Sequence, residues 1–437
     1  MQVDKITQND LSIFHVEEDQ SIFHQLNFTQ TNGGREYLRY LLSNPLPTVE
    51  AITDTQQTIQ HLLSMEAQWP VSPTNGTIMV LEKYYETAVE QYPSTPEYFN
   101  SRWYKFWHKD DYSFTLFSVQ HTLDFVQGMQ TIAENISTNN QHTPLKKIAK
   151  QLIILLDKPV IQEMALKNKN DLTAIEVLTY ANFIRHRFKQ SALELMHIYH
   201  QLDAYMSLAK AGKKYDFCFP EIVDQVQPFV EIKGLFHFLL SHPVDYSITL
   251  QENENFLFLT GANMAGKSTF IKASGIAVYL AHIGMGVPAK SMQLSYFDGL
   301  LSNIQVMDNI AKGESFFFNE VQRIKNTINR ISDGKKWLIL IDELFKGTNQ
   351  QDAVKCSTTV IEGLRKMNNA LFILSTHLYE IGEPLKKYSN IQFRYFETSV
   401  VNDQLSFSYQ LKEGISNDRL GYLILKREGV VDLLENC

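Results

Sequence analysis

Gly261-Ala-Asn-Met-Ala-Gly266-Lys267-Ser268 fits the pattern G-x-x-x-x-G-K-[ST] at every fixed position. These residue types suit one task, the holding of a chain of phosphates. Glycines let the backbone turn tightly enough for successive amide N–H groups to point at one anion. Lys267 brings a point charge to the β- and γ-phosphates, and Ser268 brings a hydroxyl for Mg²⁺. The expected binding loop is therefore Gly261, Ala262, Asn263, Met264, Ala265, Gly266, Lys267, Ser268 and Thr269, with ATP and Mg²⁺ as its ligands. The apolar run Phe256-Leu-Phe-Leu-Thr260 precedes it and a helical pattern follows, whose N-terminal dipole adds to the anion site. Average residue usage puts a chance match in a chain this long at about one per cent.

A second element lies 75 residues beyond Lys267 (342 − 267): Leu338-Ile-Leu-Ile-Asp342-Glu343, an apolar run closed by two carboxylates. Alone, such a run is common; at this distance after a phosphate loop it reads as the metal-binding strand. Asp342 joins Ser268 as a metal ligand, and Glu343 orients and activates the attacking water, so hydrolysis follows binding. Ser375-Thr376-His377 closes a further apolar run. A lone histidine is usually structural, but at the carboxyl edge of a parallel sheet it faces the ligand crevice. His377 there senses or stabilises the γ-phosphate, which makes Lys267, Glu343 and His377 the expected catalytic set.

Two kinds of element must position these residues. From about residue 233, short apolar runs alternate with helical segments, as in an α/β domain. The expected strands are Phe256–Thr260, Trp337–Asp342, Ala370–Ser375 and Ile391–Glu397, the last paired with Gln404–Leu411 across Val401-Asn402-Asp403. The first half is helical in pattern. Val49 to Leu63 carries Ile52, Ile59, Leu62 and Leu63 on one face. Between Pro159 and Gly212 there is neither glycine nor proline, which predicts one long strut or two helices in series. Pro96 to Gly128 is likewise uninterrupted, and its aromatic residues Trp103, Tyr104, Phe106 and Trp107 are expected in the core. The domains expected are an N-terminal segment over 1–24, a helical domain over 25–232, and an α/β domain over 233–437.

Composition bounds the function. With 437 residues, 44% hydrophobic and 20% charged, the chain is an ordinary globular one with no apolar run long enough for a bilayer. Its polar opening lacks the features of a secretory signal, and Cys218, Cys356 and Cys437 have no C-x-x-C spacing, so a cytoplasmic setting is expected. The net charge of −8 is uneven: residues 1–235 hold 20 Lys+Arg against 27 Asp+Glu, and the remainder 20 against 21. A nucleic-acid binder usually shows a basic footprint, so DNA contact must rest on patches such as Lys146, Lys147 and Lys150, or Lys210, Lys213 and Lys214. Solvated helix faces account equally well for both.

The motifs together resemble the MutS family. TGANMAGKSTFIK looks like its phosphate loop, including Asn263 and Met264, and IDELFKGTNQQDA, STHLYEI and IGMGVPA resemble further family segments. Asp308-Asn-Ile-Ala-Lys-Gly313-Glu-Ser315 resembles its signature segment. The resemblance implies an ABC-type P-loop ATPase domain preceded by an all-α lever domain, opening with Thr29-Gln-Thr31-Asn-Gly33-Gly-Arg35. It also implies that Ser315 completes the partner's nucleotide site, so that the working state is a homodimer on DNA, with DNA mismatch repair as the family context. The ending after Gly414 is similar to the family's C-terminal helical segment, which supports pairing. Departures are Ala262, Ala265, Phe316, Phe345-Lys346, and Val244 where an adenine-stacking aromatic is usual. The chain enters the family pattern at the lever, so no mismatch-reading domain is expected, and Phe229-Val-Glu231 is a coincidental match to the mismatch wedge. Two readings follow: an ATP-switched dimer acting on DNA without wedge-based mismatch recognition, or the same motor acting on a protein or ribonucleoprotein. An ABC transporter subunit is a distant third, because it needs a membrane partner and a different signature.

Overall fold

The computed structural model describes the chain except residues 90, 94, 139–142, 305–315, 402–403, 417–429, 431–432 and 434–437. It divides into two compact units. One comprises Met1–Gln25, Asn44–Thr53 and Gly212–Cys437; the other comprises Leu26–Ser43 and Asp54–Ala211. A helical region is thus followed by a mixed α/β sheet domain, as the sequence pattern anticipates. The sequence boundaries are contiguous and the structural ones are not. Leu46 donates its amide to the His282 carbonyl, and Tyr296 donates its hydroxyl to the Pro47 carbonyl, which ties 44–53 to the α/β unit.

In the helical unit, the helix expected over Val49–Leu63 is observed as Val49–Ser64. The strut expected between Pro159 and Gly212 is interrupted. Helix Pro159–Ala165 ends, and Ala174–Phe183 starts afresh from a capping box at Thr173. The Thr173 hydroxyl accepts from the Glu176 amide while the Glu176 carboxylate accepts from the Thr173 amide, which satisfies helix-end donors at both residues. A π-helical turn, Ile184–Phe188, then leads into Lys189–Lys214.

The aromatic stripe is also not a core stripe. Helix Tyr98–Trp107 buries Ser101 and Tyr104, three residues apart, and Tyr104 packs with Tyr112, Val177 and Leu178. Trp103, Phe106 and Trp107 are 64%, 76% and 64% exposed, against 4% for Tyr104. A ten-residue helix resting on one narrow face leaves the neighbouring positions outside. The following helix, Lys109–Thr138, runs through Gly128, where a Cβ would lie 2.1 Å from the Ser72 carbonyl oxygen.

The α/β unit is built on a seven-stranded sheet. Its strands are β1 (Gln2–Val3), β5 (Phe256–Thr260), β7 (Gly299–Asn303), β8 (Trp337–Asp342), β9 (Ala370–Ser375), β10 (Ile391–Val401) and β11 (Gln404–Glu413). They run in the order β1-β7-β8-β9-β5-β10-β11, parallel except for the terminal antiparallel pair β10–β11. A second sheet orders β2 (Glu221–Val223), β6 (Ser291–Ser295), β3 (Val230–Leu235) and β4 (Tyr246–Leu250). Residues β5, β7, β8 and β9 are buried throughout, which is why they read as unbroken apolar runs. Glu231, of the wedge-like triplet, is paired within β3 against Thr249 and Gln293.

The segment expected as a separate 1–24 piece belongs to this unit. Gln2 and Val3 pair in parallel with Gly299 and Leu300 at the sheet's edge. A two-residue strand carries no periodicity to read, so only the pairing reveals it. Gly299 lies under the Trp337 ring, where a Cβ would come within 2.0 Å of a ring carbon, whereas a Cβ on Gly363 meets nothing within 4 Å. Gly299→Ala should therefore cost about 3 kcal/mol of stability. Gly363→Ala, inside helix Gln350–Leu364, should gain up to about 1 kcal/mol. Urea unfolding midpoints of the two variants check both signs.

Candidate functional site

Buried strand β5 delivers the chain to Gly261, whose φ of +138° only glycine adopts easily. Phe396 on β10 closes off the space beside it, at 3.2 Å from where a Cβ would stand. Met264 and Gly266 also have positive φ, at +68° and +110°, and helix Lys267–Ile283 begins directly after. Ala262 and Ala265 are buried; Asn263, Lys267, Ser268 and Thr269 line a cavity of about 560 Å³. The buried Lys267 ammonium donates to the carbonyls of Gly261 (2.7 Å) and Ala262 (2.9 Å). Burial lowers its pKa, opposed by the charges of Glu343 and Asp342.

The neighbouring strand ends supply the carboxylates. In the β8–β9 register Asp342 stands beside Ser375, and the Ser375 hydroxyl bonds to Asp342 Oδ1. Ser268 Oγ donates to Asp342 Oδ2 at 2.5 Å. A hydroxyl and a carboxylate in contact are a hard oxygen pair, a donor set that suits Mg²⁺ when phosphates and water complete its shell. Among the described residues no group of three or more His, Cys, Asp or Glu side chains could hold a metal, so any ion here relies on that pair.

Glu343 sits at φ +66°, with its amide donating to the Ser375 carbonyl at 3.0 Å. Its carboxylate lies 3.1 Å from the Lys346 ammonium and 3.5 Å from His377 Nδ1. The histidine contact first, and then the lysine charge, outweigh burial and hold its pKa down to about 2. Glu343 is therefore an ionised acceptor throughout the neutral range. His377 is half-exposed beside it. Lys267, Ser268, Asp342, Glu343 and His377 thus converge on one edge of the sheet. Ser315 and the ending after Ser416 that resembles a helical segment lie outside the described residues, apart from Val430 and Leu433.

Two contributors escaped the sequence reading. Tyr409 on β11, with φ +53°, lines the cavity opposite the loop, and its ring carbon would stand 3.5 Å from a Cβ at Gly266. It places an aromatic at the mouth that Val244, which also lines the cavity, cannot supply. Its sequence signal was only a tyrosine alternating with polar residues in a strand. Glu320, buried on helix Phe316–Ile331, accepts from the amides of Lys346 (3.1 Å) and Gly347 (3.2 Å) and so fixes the loop after Glu343.

The electrostatics make a checkable statement. Removing both cations with His377→Ala and Lys346→Ala should return the Glu343 carboxyl toward the ordinary glutamate value, from about 2. Because its folded pKa is depressed, its contribution to stability is full above the unfolded value of 4.5 and fades as pH falls toward 2. The double variant should lose that dependence, as read by carboxyl-resolved NMR titration alongside acid unfolding.

Comparison with known proteins bears on this site. Residues 257–432 match the family model of MutS domain V. The DNA mismatch repair protein MutS of Persephonella marina is 29% identical over 233 residues, which is 52% of this chain and 26% of that protein. MutS of Ehrlichia chaffeensis is 26% identical over 314 residues, covering 70% of this chain and 36% of its own length. For Petrotoga mobilis MutS the figures are 27% over 240 residues, 54% and 29%. The chain spans only about a quarter to a third of the length of these curated relatives.

Proposed function

We propose that this chain, which belongs to the MutS family, is an ATPase whose hydrolysis cycle switches a homodimer on DNA. The observation that carries the reading is the convergence of Lys267, Ser268, Asp342, Glu343 and His377 at the carboxyl edge of one parallel sheet. Lys267 exchanges its two carbonyl contacts for phosphate oxygens, so the empty loop keeps the ammonium satisfied until nucleotide arrives. Ser268 and Asp342 would hold Mg²⁺, which when bound neutralises charge on the phosphates. Glu343, kept ionised, orients the attacking water and accepts its proton. His377 lies 3.5 Å from Glu343, where it steadies that carboxylate and reaches the terminal phosphate. Tyr409 offers a ring for the base, and Ser315 serves the opposing subunit's site.

DNA is the proposed partner because the relatives carry mismatch repair in their names and match more than half of this chain. The second reading, a protein or ribonucleoprotein partner, is favoured by the acid excess of residues 1–235, 20 Lys+Arg against 27 Asp+Glu. A salt titration separates them. Binding to duplex DNA should weaken steeply between 50 and 200 mM salt, with a log–log slope set by the phosphates neutralised. Absence of duplex, branched and single-stranded DNA binding at low salt would favour the second reading.

The catalytic roles predict distinct losses. Glu343→Gln should keep nucleotide affinity yet lose about a hundredfold or more in turnover. Lys267→Ala should lose nucleotide binding itself, and Tyr409→Ala should weaken it without lowering kcat in proportion. Steady-state ATPase assays with equilibrium nucleotide binding check all three. Wild-type turnover by Glu343→Gln would remove it as the base. Mixing Lys267→Ala with Ser315→Arg subunits should restore some activity, since one composite site in the mixed dimer is intact.

A further inference from the structure

We infer that Asp10 is a positioning residue for ATP turnover, acting as the joint between the helix behind the phosphate loop and both flanks of segment 305–315. The inference rests on the ATPase reading above and adds a residue far from the phosphate site to it.

The short helix Lys5–Asp10 touches two parts of the α/β unit at once. On one side it meets helix Lys267–Ile283. Gln8 Nε2 donates to the Tyr279 hydroxyl at 3.3 Å. Leu11, fully buried, fills a notch at Gly275, where a Cβ would lie 2.7 Å from a leucine methyl. On the other side it grips the end of β7. The Ser302 amide donates to Thr7 Oγ1 at 3.0 Å. Asp10 Oδ2 accepts from Ser302 Oγ at 2.5 Å and from the Ile304 amide at 3.0 Å.

The same carboxylate oxygen lies 3.7 Å from Arg323 Nη2, and that nitrogen donates to the Ser302 carbonyl at 3.3 Å. Arg323 belongs to helix Phe316–Ile331. Ile304 is the residue before segment 305–315, and Phe316 is the residue after it. One carboxylate therefore fixes both the strand that enters the segment and the helix that leaves it. Farther along, Arg330 donates to Asp4 at 2.8 Å, so the helix is held at a second point.

Asp10 is 2% exposed. A buried carboxylate is costly, and apolar residues of similar volume usually stabilise a fold at least as well. What the charge provides here is geometry: three groups from two elements aimed at one oxygen. Misplacement of a reacting arrangement by about 1 Å can cost a hundredfold in rate. The segment so anchored is the one whose sequence resembles a signature, so its placement bears on turnover more than on nucleotide affinity.

The test uses the full chain with Asp10→Asn, Arg323→Ala and Arg323→Lys. It measures steady-state ATPase kcat and KM, fluorescent-nucleotide affinity and thermal unfolding. Asp10→Asn and Arg323→Ala should lower kcat at least fivefold with nucleotide affinity within twofold of wild type. Arg323→Lys, which keeps the charge, should recover most of what Arg323→Ala loses. Folded variants with wild-type kcat would overturn the inference, and so would a loss of affinity in parallel with kcat. If Asp10→Asn does not fold, the Arg323 pair decides by the same criteria. A wild-type protein without turnover would refute the ATPase reading and this inference with it. Wild-type turnover with unaffected variants would refute only the role of Asp10.

Discussion

Everything at the candidate site hangs on the Asp342 carboxylate, because it is where three segments distant in sequence meet. One oxygen accepts from Ser268, at the start of the helix after the glycine loop, and the other bonds Ser375, at the end of β9. Asp342 itself ends β8. The carboxylate therefore holds loop, β8 and β9 in one register. In a buried setting such charge-assisted bonds are stronger than neutral ones, and leaving either partner unpaired is costly. The parallel sheet makes the meeting possible: strands in the same direction bring their carboxyl ends to one edge.

Glu343 depends on that junction. With Asp342 fixed, the next residue is forced into a left-handed backbone and its amide is spent on the Ser375 carbonyl. Its side chain then points where Lys346 and His377 reach it from two different loops. The positive φ is a local strain for a non-glycine residue, of the kind that persists only where surrounding contacts impose it. Here they do, through Glu320 holding the amides of Lys346 and Gly347 from the far side.

The helical unit obeys different constraints. Asp203 collects the Gln30 and Thr31 amides and the Thr31 hydroxyl, while a Cβ on Gly34 would lie 2.1 Å from its carboxylate. This buried acceptor near the start of helix Asn32–Ser43 does what a local capping residue does elsewhere, from a residue more than 170 positions away. The exposed aromatic face of helix Tyr98–Trp107 shows the limit of composition as a guide: the residue types suit a core, yet the helix has only one side to give to it.

What the sequence by itself determined was local and periodic. The glycine loop, the apolar strands ending in Asp342 and Ser375, and helix Val49–Ser64 were legible because sterics, burial and helical spacing act over a few residues. The family resemblance, too, was carried by contiguous motifs, and the MutS domain V match covers that same region. The break before Thr173 was legible in principle, as a Thr-x-x-Glu box, and was masked by the absence of glycine and proline. Tertiary structure alone decided the rest. It paired Gln2 and Val3 with Gly299 and Leu300, brought Tyr409 to the cavity, and set Asp10 against Ile304 and Arg323. Each joins residues far apart in the chain through one or two bonds. Such contacts leave no period in the sequence, because their energy comes from burial and geometry that exist only once the sheet is assembled.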